Sequence, residues 1–75
     1  GSMAQTSYAV GFVGSGNMAG ALIRGILDGG LYAPEQVVCS DVDARKLAAL
    51  RRRFGIATTT DNLGLATAAK VVVLA

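Results

Sequence analysis

Apolar residues along this chain fall into short continuous runs separated by stretches in which they recur at helical spacing. Tyr8-Ala9-Val10-Gly11-Phe12-Val13 is a β-branched and aromatic run followed at once by Gly14-Ser15-Gly16, which predicts a buried strand ending in a tight turn. From Asn17 to about Asp28, Met18, Ala21, Leu22, Ile26 and Leu27 recur at helical spacing, and Gly29-Gly30 supplies the stop. Gly20 and Gly25 lie inside that helix, where each costs roughly 1 kcal/mol relative to alanine. Close packing against the sheet or a neighbouring helix is the expected compensation.

Pro34 and Glu35 punctuate the connection to Val37-Val38-Cys39, a second buried strand. Asp43 is placed to cap a second helix running to about Phe54, with Leu47 and Leu50 facing inward. Arg51, Arg52 and Arg53 near its carboxyl end complement the helix dipole. Gly55 closes this helix, and Ile56-Ala57-Thr58 is a weak third strand. Thr60 or Asp61 caps a short third helix through about Ala69, and a fourth strand runs from Val71 to Ala75.

Strands alternating with helices, with continuous apolar runs in the strands, predict an α/β fold whose parallel sheet is covered on both faces. The expected spatial order is 3-2-1-4. Composition narrows the function classes. Seven Lys+Arg against five Asp+Glu leave a formal charge of +2, too weak a field to argue for a nucleic-acid partner. At 52% hydrophobic the chain is far from the disordered class, yet no run is long enough for a membrane-spanning helix. A lone Cys39 and the lack of histidine exclude an internal disulfide, the usual zinc sets and a Ser-His-Asp machine, so no metal ligand is expected.

Gly1-Ser2-Met3 reads as a cloning remnant ahead of a start methionine, and no secretory signal follows, so a cytoplasmic location is expected. Lys70-Val71-Val72-Val73-Leu74-Ala75 looks like a core strand cut off as it finishes. Residues 4–75 are therefore expected to be a partial domain, the first part of a longer fold.

Gly14-Ser15-Gly16-Asn17-Met18-Ala19 fits G-x-G-x-x-[GA] immediately after a strand and before a helix, the context in which that pattern marks a Rossmann-type dinucleotide site. Gly14 allows the sharp turn, and the missing side chain at Gly16 lets a pyrophosphate approach the backbone. Ala19 keeps helix and strand close, and the free N–H groups of Asn17 and Met18 can meet phosphate oxygens.

Ser40-Asp41 follows the second strand, near where such a fold reads the adenosine ribose. A carboxylate at Asp41 can accept from both ribose hydroxyls and repels a 2′-phosphate, which argues for NAD. Ser40, Arg45 and Lys46 could instead hold that phosphate, so NAD and NADP both stay open. Helix capping is the competing role for Asp43 and Asp41. Cys39 inside an apolar strand is expected to be a small buried hydrophobe.

The segment Gly11-Phe12-Val13-Gly14-Ser15-Gly16-Asn17-Met18-Ala19, continued by Ala21-Leu22-Ile23-Arg24-Gly25, closely resembles the amino-terminal signature of the pyrroline-5-carboxylate reductases. The likeness runs on through Pro34-Glu35-Gln36-Val37-Val38, Phe54-Gly55, Thr60-Asp61-Asn62 and Val71-Val72-Val73-Leu74-Ala75. The resemblance implies an oxidoreductase that passes hydride from NADH or NADPH to the C=N carbon of 1-pyrroline-5-carboxylate, completing proline synthesis, in a homo-oligomer. It also implies that Val13, Gly14, Ser15, Gly16, Asn17 and Met18 hold the pyrophosphate. By the same likeness Asp41 lies by the ribose, Asn62 contacts the dinucleotide, and Ala75 opens a motif beside the nicotinamide half. Many members carry Asn-Arg where this chain has Asp41-Val42, a departure that weighs against NADP. The resemblance assigns no catalytic residue to these 75 positions, and the fragment alone is expected to be inactive. A related β-hydroxyacid or imine reductase, or a non-catalytic NAD(H)-sensing module, are the alternatives.

Overall fold

The computed structural model describes residues 7–75; the expected cloning remnant, Gly1-Ser2-Met3, and the start of the expected domain at residue 4 fall outside the described residues. The elements are β1 (Tyr8–Val13), α1 (Asn17–Asp28), a single 3-10 turn (Pro34–Gln36), β2 (Val37–Ser40), α2 (Ala44–Phe54), β3 (Ala57–Thr59), α3 (Asn62–Ala68) and β4 (Ala69–Leu74). All strand pairings are parallel, and the order is β3-β2-β1-β4, as the sequence predicts. This is a Rossmann-type α/β sheet.

The register sorts the side chains onto two faces. Val10 and Phe12 lie opposite Val37 and Cys39 of β2 and opposite Val71 and Val73 of β4. Alternation along each strand puts them all on one face. There they bury Ala19 and Ile23 of α1 and Leu47 and Leu50 of α2 in one cluster. The other face is crossed by α3. A Cβ at Gly11 would lie 2.6 Å from Leu65 Cδ2 and 2.9 Å from Ala69 Cβ. The gap in the β1 apolar run is therefore the space that seats α3.

Two expectations need correction. A Cβ at Gly20 or Gly25 would meet nothing within 4 Å, so neither glycine marks close packing. The buried side of α1 runs through Ala19 and Ile23, which leaves both glycines off the contact. Strand boundaries also shift: β3 spans Ala57–Thr59, one residue later than expected, and β4 starts at Ala69, two residues earlier. Ala69 is already extended and pairs with Tyr8, so backbone pairing recruits it before the apolar run begins.

Beyond β4 no further strand is present among the described residues. Its Val71, Val72 and Leu74 are exposed, Leu74 by 81%. No helix of the described residues is long and apolar enough to cross a membrane.

Candidate functional site

β1, β2 and β3 step outward in one direction, and β4 returns to the other side of β1, so the switch in strand order lies between β1 and β4. In open α/β sheets, ligands bind at the carboxyl ends of the strands at this point. Here it is occupied by the glycine turn. Gly14 has φ +104°, a conformation L side chains rarely adopt, and a Cβ there would lie 2.5 Å from the Ala75 carbonyl oxygen. Its N–H donates to the Ser40 carbonyl at 2.7 Å, and the Ala75 N–H donates to the Val13 carbonyl at 2.9 Å. The chain thus folds back between the ends of β2 and β4, and only glycine fits.

α1 then begins without a side-chain cap and without an acidic residue in its first turn. The neighbouring helices differ. Asp43 caps α2 through the Arg45 and Lys46 amides, and Asp61 caps α3 through the Gly64 amide. The first intrahelical bond at the start of α1 runs from the Gly20 N–H to the Gly16 carbonyl. The amides of Asn17, Met18 and Ala19 therefore have no acceptor within the helix. A Cβ at Gly16 would meet nothing within 4 Å. The start of α1 is a bare cluster of donors at a positive dipole end, open to an anion. The Met18 side chain is itself 66% exposed.

At the end of β2 the two loops are tied together. Asp41 Oδ2 accepts from both the Ser15 N–H (3.0 Å) and the Ser15 hydroxyl (2.6 Å). Asp41 Oδ1 accepts from the Asp43 N–H at 2.9 Å. The Ser15 hydroxyl first, then the Asp43 amide, hold the Asp41 carboxyl below the usual carboxylate range. A carboxylate offers about four acceptor positions, so these bonds leave roughly one. Asp41 therefore keeps about one acceptor position free, against the two that the sequence reading asks of it.

Ser40 is fully buried, and its hydroxyl donates to Asn62 Oδ1 at 2.5 Å. This corrects its candidacy as a phosphate donor, because the hydroxyl is turned inward and spent on Asn62. The same bond seats Asn62, the first residue of α3, beside the end of β2 with its amide N–H₂ left to donate elsewhere. Cys39 is fully buried beneath the turn, its thiol 3.3 Å from the Gly14 carbonyl. Burial, with the Asp41 charge adding, pushes that thiol up to about 11, so it is neutral at physiological pH and serves as packing.

The structure thus gathers Val13, Gly14, Ser15, Gly16, Asn17, Met18, Ser40, Asp41, Asn62 and Ala75 around one end of the sheet. Two features escape sequence reasoning. Val42 and Leu63 are 86% and 81% exposed directly beside Asp41 and Asn62 in the chain. Both are large aliphatic side chains left in solvent at polar loop ends, and the sequence reading singles out neither for a role. A groove of about 370 Å³ also opens from Ser15, Gly16 and Asn17 along Gly20, Ala21 and Arg24 of α1 to Leu50 and Arg53 of α2. Two guanidinium groups and no carboxylate line it, which adds positive potential beside the bare amides. Among the described residues no cluster suits a metal ion.

Fold, switch point and glycine turn together define a Rossmann-type domain with the start of its first helix uncapped and open. The family described as "NADP oxidoreductase coenzyme F420-dependent" matches residues 9–75, and the chain belongs to that family. Among curated proteins it is 42% identical over 65 residues to a pyrroline-5-carboxylate reductase of Vibrio alginolyticus, covering 87% of this chain and 24% of that protein. It is 35% identical over 66 residues to the Methanosarcina acetivorans pyrroline-5-carboxylate reductase, covering 88% and 24%. Among solved structures, a pyrroline-5-carboxylate reductase from Coxiella burnetii superposes with a TM-score of 0.83 at 34% identity, covering 93% of this chain and 26% of that one. The chain spans about a quarter of the length of the relatives it matches.

Proposed function

We propose that this chain is the N-terminal, cofactor-binding portion of a pyrroline-5-carboxylate reductase, an NAD(P)H-dependent enzyme that reduces 1-pyrroline-5-carboxylate to L-proline. The observation that carries the reading is the uncapped start of α1, where open space at Gly16 meets the unpaired amides of Asn17 and Met18. A diphosphate fits this cradle by charge and by shape. Asp41 and Asn62 flank it on the ribose side, and Ala75 lies against Gly14 on the side where the nicotinamide half would extend.

When bound, the dihydronicotinamide supplies the hydride, and the protein's part is to orient it and keep water away. Residues 7–75 orient: the turn fixes the diphosphate and Asp41 fixes the ribose. No described side chain is assigned to the chemical step. A cytoplasmic homo-oligomer is the setting this reading carries with it.

The test is direct. A chain extended to the length of its relatives is expected to oxidise NADH or NADPH only when 1-pyrroline-5-carboxylate is present, with proline as the product. Cofactor binding without any turnover of that imine would contradict the assignment and favour a sensing role.

A further inference from the structure

We propose that Ser15 is a positioning residue for cofactor selectivity: it pins the Asp41 carboxylate across the ribose side of the cleft, so that NADH is preferred over NADPH. This rests on the dinucleotide reading above.

Ser15 is 26 positions from Asp41, yet both its N–H and its hydroxyl converge on one oxygen, Oδ2. The 2.6 Å hydroxyl contact is in the range of charge-assisted bonds, which are about twice as strong as neutral ones. With the Asp43 amide holding Oδ1 from the other side, the carboxylate is fixed at both ends. A free aspartate on a loop can rotate into solvent and leave room for a 2′-phosphate. That phosphate would find Arg45 and Lys46 close by, exposed in the first turn of α2. A pinned one keeps its negative charge where the phosphate would have to sit. Ser15 also has no donor left for the diphosphate, which leaves that task to Gly16, Asn17 and Met18.

The separation of roles can be tested by titrating the folded protein with NADH and with NADPH by calorimetry. Ser15→Ala removes the hydroxyl bond and keeps the amide bond. Affinity for NADH relative to NADPH is expected to fall about tenfold, the scale of one charge-assisted bond. Ser15→Thr keeps the hydroxyl and is expected to restore the preference. Ser15→Cys fills the same space with a poor donor and is expected to lose it, which keeps the test open should Ser15→Ala not fold. In parallel, the Asp41 carboxyl followed by carbon NMR is expected to titrate at higher pH in Ser15→Ala than in the parent, and to return in Ser15→Thr. A selectivity ratio unchanged in Ser15→Ala and Ser15→Cys would overturn the role of Ser15 while leaving the dinucleotide reading intact. A parent protein that binds neither reduced cofactor would overturn that reading, and the selectivity role with it.

Discussion

Gly14 carries two independent demands at a single position, a φ of +104° and a Cβ site 2.5 Å from the Ala75 carbonyl. Gly14→Ala must therefore strain the backbone and push the end of β4 away. The first demand alone costs roughly 1–2 kcal/mol. Thermal unfolding of Gly14→Ala is expected to fall by about 10 °C for a domain of this size, and an unchanged midpoint would contradict the geometry. The turn itself was legible, because two glycines beside a strand end announce a sharp reversal. The partner of Ser15 was not. The bond to Asp41 joins residues 26 apart, and nothing local in either segment favours it. Ser40 was misread for the same reason. The sequence offers its hydroxyl as a phosphate donor, whereas in register with Val13 it is buried in the sheet and donates to Asn62 Oδ1.

At the scale of elements, the three helices share one architecture and differ at their starts. α2 and α3 are each preceded by an aspartate that accepts backbone amides; the sequence points to Asp43 for α2 and leaves Thr60 and Asp61 as rivals for α3, which the structure resolves to Asp61. α1 is preceded by Gly16 and left without a side-chain acceptor, a cost of roughly a few tenths of a kcal/mol against a Ser or Asp cap, at a point where a ligand can supply the acceptor. The helical glycines show the limit of pattern reasoning. Spacing alone does not say whether a missing side chain is filled by a neighbour, and at Gly25 it is not. Gly25→Ala is expected to stabilise the domain by about 0.5–1 kcal/mol, raising the unfolding midpoint by roughly 4 °C. A loss of stability would mean that an unseen contact uses this glycine. The start of β4 was missed because pairing with β1 and not side-chain character decides where a parallel strand begins.

At the scale of the molecule, sheet order and switch point bring the turns after β1, β2 and β3 and the end of β4 together, and the alternation of apolar runs with helical stretches was enough to expect this. The exposed Val71, Val72 and Leu74 on β4 were legible as a strand, but their exposure follows only from its outer place in the sheet. The central claim is that the open start of α1 receives a diphosphate. Gly16→Val tests it most directly, because the added side chain has room in the folded chain and blocks only the approach to the amides. Calorimetric titration of the variant against its parent is expected to show NADH affinity weakened by about tenfold or more, with stability reduced by no more than about 1 kcal/mol. Equal NADH affinity in a folded Gly16→Val protein would contradict the account.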